Sequence, residues 1–521
     1  MCVMVLSERQ EAIENSYLNE DVNLVIQAVA GSGKTTTLMH LLSVSKYRVL
    51  FLAFNKSIQE EIEKRLVEKN LEQGKSLTLH SLGFLAIRTF YKKVFVKNGK
   101  NWTLIKEFEN FHKNDLRRYN ATEKLNIMYT IMDMNDVSRM FLTDSLEELI
   151  PIMLTMDKIP FECEDLQEFW NTFLQIREAH NNREDGVIEI DFIDMIYLPA
   201  VTSSMIIPIQ PYYLFIDEAQ DLNLAQHAFI DKLIAQGDVQ KWVAVGDRYQ
   251  SIYGFGGSYP ESFDLFTRKE NVKELPLDVC YRCPPNVIQH ANEVYPILRS
   301  FKSEDGDLVD FGASIEAWTR IKKGSLVICR NSRPLITMFF KLLSLEKKAI
   351  IKGEDILGKV QKIYKANKFK TVVNTLVTLD RAMSKQRKIV ATLSLDVNAN
   401  KKEIFKEERK LVIMQEDYDN FEVFARQLSP TNMFGDIDSD YTMEDLYQKV
   451  LKIFNETPEE DTITLCTIHK SKGLEADYVY ILNEFLIPSP FSKSAEQRQQ
   501  ENNLKYVART RAKKGLYKIN I

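Results

Sequence analysis

The sequence predicts an α/β protein with two parallel-sheet blocks, each interrupted by a mostly helical stretch. Three observations carry that expectation. First, an apolar run, Leu24, Val25 and Ile26, leads into the turn Ala30-Gly31-Ser32-Gly33, then Lys34, Thr35 and Thr36 and a helical pattern. Second, short apolar strands ending in polar residues recur at 47–56, 212–223, 241–258, 325–331 and 462–482. Third, about 91–208 and 353–458 carry apolar residues at helical spacing with no glycine-rich chemistry.

The totals set limits. A chain of 521 residues is too long for one core, and about three or four domains are expected. Hydrophobic residues at 45% and charged residues at 27% fit a soluble globular protein. With 68 Lys+Arg against 73 Asp+Glu, the net charge of −5 excludes a global basic field. A nucleic-acid partner must therefore be held in a local groove. No apolar run is long enough to span a bilayer, and MCVMVL is too short for a secretory signal, so no membrane partner is expected. The six cysteines, Cys2, Cys163, Cys280, Cys283, Cys329 and Cys466, are scattered. They read as reduced thiols in a cytoplasmic or cytosol-like compartment. Cys280 and Cys283 form a C-x-x-C without two further ligands nearby, and so read as two half-buried thiols.

In chain order, Ser7 caps a short helix whose Gln10 is either a surface amide or a reader of an adenine edge. The strand–glycine turn–helix at 24–38 is a phosphate-binding P-loop, with Ala28 at its first position. Its N–H groups converge on an anion, and the helix N-terminus adds partial positive charge. Lys34 reaches the β- and γ-phosphates and Thr35 holds Mg²⁺. The segment 47–56 reads as a buried parallel strand, and 77–83 as a short strand and turn. The methionines of 128–134 read as core. At 212–223 a strand ends in Asp217-Glu218: Asp217 holds Mg²⁺ through water and Glu218 polarises the attacking water. In 241–258, Gln250 is a candidate γ-phosphate sensor, and Tyr253 and Phe255 are candidates for stacking on bases. Pro284-Pro285 opens a helix just after Tyr281 and Arg282, and a core strand ends in Arg330. The Lys/Glu-rich segment 385–410 reads as a solvated helix face, and 429–440 as an acidic loop without calcium-site spacing. The segment 462–482 gives strand, His469-Lys470-Ser471-Lys472-Gly473, strand; 504–521 gives a basic helix end and a last strand.

This order of motifs resembles the superfamily 1 helicases of the UvrD/Rep/PcrA family. Gln10 resembles the Q motif, 30–35 motif I, AFNKS and TLHS motifs Ia and Ib, and 216–221 motif II. VGDRYQSIYGF resembles motif III, CYR motif IV, 467–475 motif V and 506–512 motif VI. The resemblance covers both motor cores and implies two RecA-like P-loop domains facing each other across an ATP cleft, each with a mostly helical insertion. The expected boundaries are 1–90 and 209–276 for the first domain, with 91–208 inserted, and 277–352 and 459–521 for the second, with 353–458 inserted.

The resemblance also implies residue roles. Lys34, Asp217, Glu218, Gln250, Arg282 and Arg511 carry the chemistry, with Arg282 and Arg511 as arginine fingers. Gln10, Ala30, Gly31, Ser32, Gly33, Lys34, Thr35, Thr36, Tyr281, Arg282, Glu475 and Arg511 bind ATP, Tyr281 by stacking on adenine. Thr35 and Asp217 hold Mg²⁺. Phe54, Asn55, His80, Tyr253, Phe255 and His469 contact DNA. Four features depart from the family pattern: Arg248-Tyr249 before Gln250, Gly256 in place of an arginine, Asn502-Asn503 before motif VI, and a motif Ia one residue shorter, as in the F-box helicase branch. No nuclease module is read after motif VI.

The implied activity is ATP-dependent DNA unwinding with 3′-to-5′ movement on single strands, acting on single-stranded DNA and single/double-strand junctions. Two alternatives remain: a translocase that strips proteins from single strands, and an ATP-gated regulatory subunit of a defence or repair complex. RNA is not excluded, because backbone-tracking grooves are sequence-blind. Protein partners are open.

Overall fold

The computed structural model describes residues 6–521 apart from 157, 183–185, 210–211, 238, 397–400, 433, 456–458, 491 and 493, and apart from the side chains of 122, 255, 315, 316, 354, 355, 401, 402 and 405. The chain divides into two compact units, Met1–Asp278 and Val279–Ile521.

The first unit is built on a six-stranded sheet. Its strands are β1 (Asn23–Ala28), β2 (Val49–Ala53), β3 (Gly74–Thr78), β6 (Tyr213–Ile216), β7 (Lys241–Gly246) and β8 (Val272–Leu277). Two short strands, β4 (Lys93–Val96) and β5 (Val187–Ile190), pair with each other separately. The order is β3-β2-β6-β7-β1-β8, and every pairing is parallel. A sheet covered on both faces needs strands apolar on both sides. Leu24 and Ile26 accordingly join one buried cluster with Phe51, Phe215 and Val243, while Val25 joins the other with Leu52, Ile216 and Phe229.

Helix α1 (Glu8–Asn19) opens with a capping box made by Ser7 and Gln10. Helices α2 (Lys34–Val44), α3 (Lys56–Glu68) and α4 (Leu79–Phe90) follow the first three strands. The structure corrects the strand-and-turn reading of 77–83. Thr78 is an N-cap whose side chain accepts from Ser81 N, so His80 and Gly83 lie in α4.

Between 91 and 208, five α-helices from Lys100 to Val201 are present among the described residues. The β4–β5 pair lies within the same stretch, which reads as mostly helical in the sequence. A buried ionic cluster ties this region together. Lys100, Arg139 and Asp194 are all at most 2% exposed. Arg139 donates to Asp191 and Asp194 at 2.8 Å each, and Lys100 to Asp194 at 2.7 Å. Each buried charge is paired, as burial of an ion requires. Met128 and Met134 sit in the apolar core nearby.

The second unit carries a second parallel six-stranded sheet. Strands β9 (Val279–Cys280) and β10 (Arg299–Ser300) form a separate pair. The sheet comprises β11 (Asp307–Asp310), β12 (Leu326–Cys329), β13 (Ala349–Lys352), β14 (Ile463–Thr467), β15 (Ala476–Leu482) and β16 (Ala512–Ile519), in the order β11-β16-β15-β12-β14-β13. Among the described residues, four helices, Glu354–Asn367, Val372–Leu395, Lys401–Leu428 and Met443–Phe454, lie between β13 and β14. Cys280 and Cys283 are fully buried, not half-buried: Cys280 is paired to Ser300 in the β9–β10 ladder, and the Cys283 thiol is turned in to the Thr510 carbonyl. Among the described residues, no helix is long and apolar enough to cross a membrane.

Candidate functional site

Parallel strands deliver their C-terminal ends to one edge of a sheet, which is where such sheets bind ligands. In the first unit β1 ends in the P-loop, its neighbour β7 ends before Asp247, and the next strand, β6, ends before Asp217-Glu218. Beyond these, β2 ends before Phe54 and β3 just before His80.

Gly31 and Gly33 take φ of 70° and 82°, the left-handed region that a side chain disfavours. Gly33 is the N-cap of α2 and brings no side-chain cap. The first turn of a helix has N–H groups without intrahelical acceptors, so Lys34, Thr35 and Thr36 present theirs at this end. Ser32 Oγ is buried with no hydrogen-bond partner. A buried polar atom left in this way is costly unless a ligand satisfies it. The loop therefore fits a phosphate. Thr35 is half-buried and Thr36 exposed. Gln10 is buried: its Nε2 donates to Thr37 Oγ1 at 3.1 Å, and its Oε1 accepts from Ser7 N at 3.0 Å. The amide thus backs the P-loop helix.

Lys34 Nζ donates to Glu218 Oε2 at 3.2 Å. Burial works against its charge, but Glu218, Asp247 and Asp217 outweigh burial and raise its pKa. Glu218 has φ 49° and ψ 44°. A left-handed non-glycine residue costs about 1–2 kcal/mol. Asp217 Oδ1 offsets part of this by accepting Glu218 N at 2.9 Å. Asp217 itself is 3% exposed. A hydroxyl and a carboxylate are the hard oxygen donors that Mg²⁺ takes alongside water and phosphate, so Thr35 and Asp217 fit that ion.

The acids are linked to the β7 loop by residues the sequence reading did not single out. Gln220 Nε2 donates to Glu218 Oε2 at 2.6 Å, and Gln220 Oε1 accepts Asp247 N at 2.9 Å. Gly246 permits this approach, since a Cβ there would lie 2.5 Å from Gln220 Oε1. Gln250 Nε2 donates to Asp247 Oδ2 at 2.7 Å. Burial pushes the Asp247 carboxyl up, against the lowering effect of Lys34 and Gln250. The signal for Asp247 was present: a carboxylate directly after an apolar strand, as at Asp217.

Past Gln250 the loop reaches an open groove of about 330 Å³. Phe54, His80 and Tyr253 line it together, with Met140 and Ile193 from the first helical region and Gly256 from the loop. The Phe54 and Tyr253 rings are near-parallel at 11°, with centroids 6.3 Å apart. His80 packs against Phe192, and burial lowers its pKa. Phe192 and Ile193 lie between the two aspartates that Arg139 holds, so the buried ionic cluster fixes this wall. A smaller cavity is lined by Asp217 as well as Phe54 and His80. Asn55 is the N-cap of α3, its Oδ1 accepting from Ile58 N at 2.9 Å. The Phe255 side chain lies outside the described residues.

The second unit holds the remaining predicted residues. Arg282 Nε donates to Glu475 Oε2 at 2.7 Å, and its Nη1 to Thr510 O at 3.1 Å. Burial opposes the Glu475 charge, but Lys513 and Arg282 hold its carboxyl below the usual range. Arg511 is 2% exposed; its Nε donates to Val507 O at 2.9 Å and its Nη2 to Thr510 Oγ1 at 3.1 Å. Tyr281 packs against Phe301 with centroids 4.7 Å apart. His469 is half-buried, and burial with the nearby Arg330 charge holds its pKa down to about 3, so it is neutral.

Residues 6–271 match the UvrD/REP helicase N-terminal domain, and residues 462–518 match the UvrD-like helicase C-terminal domain. The chain is 26% identical to F-box DNA helicase protein 1 of Schizosaccharomyces pombe, over 98% of this chain and 57% of that protein. It is 24% identical to ATP-dependent DNA helicase PcrA of Staphylococcus epidermidis, over 55% of this chain and 39% of that protein. It is 23% identical to ATP-dependent DNA helicase Rep of Buchnera aphidicola, over 95% of this chain and 90% of that protein. The chain thus spans well under two thirds of the first two relatives.

Proposed function

This chain belongs to the UvrD/Rep helicase family, and from that premise we propose that it is an ATP-hydrolysing DNA helicase moving 3′ to 5′ on single strands. One observation supports this most: hydrogen bonds run unbroken from Lys34 through Glu218, Gln220 and Asp247 to Gln250, three residues before Tyr253 in the groove. A change at the phosphate is thereby transmissible to the strand. In this reading the α2 N–H groups and Lys34 bind the β- and γ-phosphates. Bound Mg²⁺, held by Thr35 and Asp217, would neutralise phosphate charge. Glu218 accepts a proton from the attacking water, while Gln220 and Lys34 hold its carboxylate in place. The adenine is assigned to Gln10, which backs the P-loop helix through Thr37, and to Tyr281, and Glu475 positions Arg282. Arg282 and Arg511 supply charge to the γ-phosphate during turnover. Phe54, Tyr253 and Phe255 hold bases, with Asn55, His80 and His469 beside the strand. Single-stranded DNA and its junctions with duplex are the substrates, in replication, repair or recombination, in the cytoplasm or a similar compartment.

Strand displacement on 3′-tailed, 5′-tailed and blunt duplexes of DNA and RNA tests the proposal. ATP-dependent unwinding confined to 3′-tailed DNA is expected. Hydrolysis that no DNA stimulates would overturn it.

Two variants probe the parts. Glu218→Gln is expected to bind ATP and hydrolyse it about 10²–10⁴-fold more slowly, the usual contribution of a positioned base. Turnover within about twofold of the parent would remove Glu218 from that role. Tyr253→Ala is expected to lose about 1–3 kcal/mol of single-strand binding per stacked base. Its hydrolysis without DNA should be unchanged. Equal loss of both, with a lowered melting temperature, would make Tyr253 a packing residue.

A further inference from the structure

The thiols of Cys280 and Cys283 are assigned no role by the proposed reaction, yet they stand where its two arginines are anchored. Cys283 N donates to Cys280 Sγ at 3.4 Å. Cys283 Sγ donates to Thr510 O at 3.5 Å, and the same carbonyl accepts Arg282 Nη1 at 3.1 Å. The Thr510 hydroxyl in turn accepts from Arg511. One residue thus joins the thiol pair to both arginines. Within the pair the roles differ. Cys280 Sγ is an acceptor, and Cys283 Sγ a donor.

We propose that Cys280 and Cys283 are a reversible redox site, oxidised by a hydroperoxide to an intramolecular disulfide that restrains Arg282 and slows nucleotide turnover. The effect on turnover rests on the function proposed above; the disulfide does not. In the first step the Cys280 thiolate attacks a peroxide oxygen. The O–O bond breaks, Cys280 becomes a sulfenic acid, and the departing oxygen takes up a proton and leaves as water from hydrogen peroxide or as an alcohol from an organic hydroperoxide. Cys283 then attacks that sulfur, the S–S bond forms, and the sulfenic oxygen leaves as water. Each thiol gives up one proton, and the peroxide takes two electrons.

The adjoining Cys283 side chain, with its backbone N–H on Cys280 Sγ, holds the Cys280 thiol down to about 6 against burial, while the neighbouring Cys280 sulfur and burial push Cys283 up. Cys280 is therefore the attacking sulfur, since the thiolate is the reactive form. Both thiols are buried. A small uncharged oxidant is needed, and Cys280 lies on the two-residue strand β9, paired among the described residues only to the equally short β10. Short ladders of this kind open locally at low cost. Closure removes the S–H that donates to Thr510 O. It also encloses Tyr281 and Arg282 in a small ring, so that Arg282 cannot leave the Thr510 carbonyl freely.

The test treats the full chain with hydrogen peroxide, then maps peptides and measures ATP turnover before and after dithiothreitol. The expected result is a linked Cys280–Cys283 peptide lacking two hydrogens, with a severalfold loss of turnover that dithiothreitol restores. Cys280→Ser and Cys280→Ala should keep the reduced-state rate and ignore peroxide. Absence of the linked peptide under conditions that oxidise the half-buried Cys163 overturns the site. A linked peptide with unchanged turnover overturns the restraint on Arg282. A reduced protein that hydrolyses no ATP would instead refute the proposed function, and peptide mapping would still decide the site.

Discussion

Lys34→Ala is expected to leave no measurable nucleotide turnover. The ammonium is the cation of a site that otherwise holds Glu218, Asp217 and Asp247. Removing it deletes the proposed phosphate contact and also leaves three carboxylates to repel each other. Breaking a fully buried ion pair costs about 3–5 kcal/mol. The loss here should be smaller, because the Lys34 and Glu218 side chains keep 13% and 19% exposure and Gln220 still holds Glu218. Asp247 gives the variant a second signature. Its folded pKa is already raised, chiefly by burial, and Lys34 opposes that rise. Without Lys34 it should rise further. A carboxyl with a raised folded pKa contributes stability at low pH that is lost as pH rises through its range. The melting temperature of Lys34→Ala should therefore fall more steeply than the parent's between mildly acidic and neutral pH. Turnover at the parent rate would discard the nucleotide site altogether.

Arg282→Ala and Arg511→Ala are each expected to lower turnover by about 10³–10⁵, the usual contribution of an arginine finger. The double variant should be little worse than the worse single one, because groups acting as a unit are not additive. The geometry sharpens this, since both guanidinium groups bond to Thr510, one to its carbonyl and one to its hydroxyl. The two variants should differ in stability. Glu475 loses Arg282 but keeps Lys513. Arg511 is 2% exposed, and its loss opens a cavity at the end of the Ala495–Arg509 helix. Its melting temperature should drop measurably while that of Arg282→Ala holds. Multiplicative losses of turnover would assign the arginines independent roles.

Much of the fold could be read from residues that satisfy a local rule. The run Leu24-Val25-Ile26 is apolar on both faces, as a strand buried between two layers must be. Ser7 with Gln10 declares a helix start by side-chain chemistry alone. The same chemistry was overlooked at Thr78, where TLHS has the β-formers of a strand but an N-cap hydroxyl that starts a helix. The β4–β5 pair was invisible because its strands have four residues each and lie about ninety residues apart, so no periodicity develops.

The site divides in the same way. Glycine turns and paired acids are local and legible. The Gln220 bridge depends on a side chain meeting the end of a strand about twenty-five residues later. The groove depends on Phe54, His80, Phe192 and Tyr253, which come from four separate segments. Sequence spacing carries no record of such meetings, only the tertiary fold does.

The place of β1 in its sheet has a consequence for synthesis of the chain. Its neighbours are β7 and β8, and Leu24 pairs with Val243 and Lys273. The nucleotide-loop strand therefore emerges from the ribosome more than two hundred residues ahead of either hydrogen-bonding partner. Helices α1 and α2 can coil early, because their backbone hydrogen bonds are local. The strand between them cannot be paired on either edge until β7 has been made, nor on both until Leu277 has. Until β7 emerges, a segment with the apolar core Leu24-Val25-Ile26 waits with both edges open, and pairings so distant are slow to form. Translation rate and chaperone supply, more than the final stability of the sheet, should then govern how much of this protein reaches its native state.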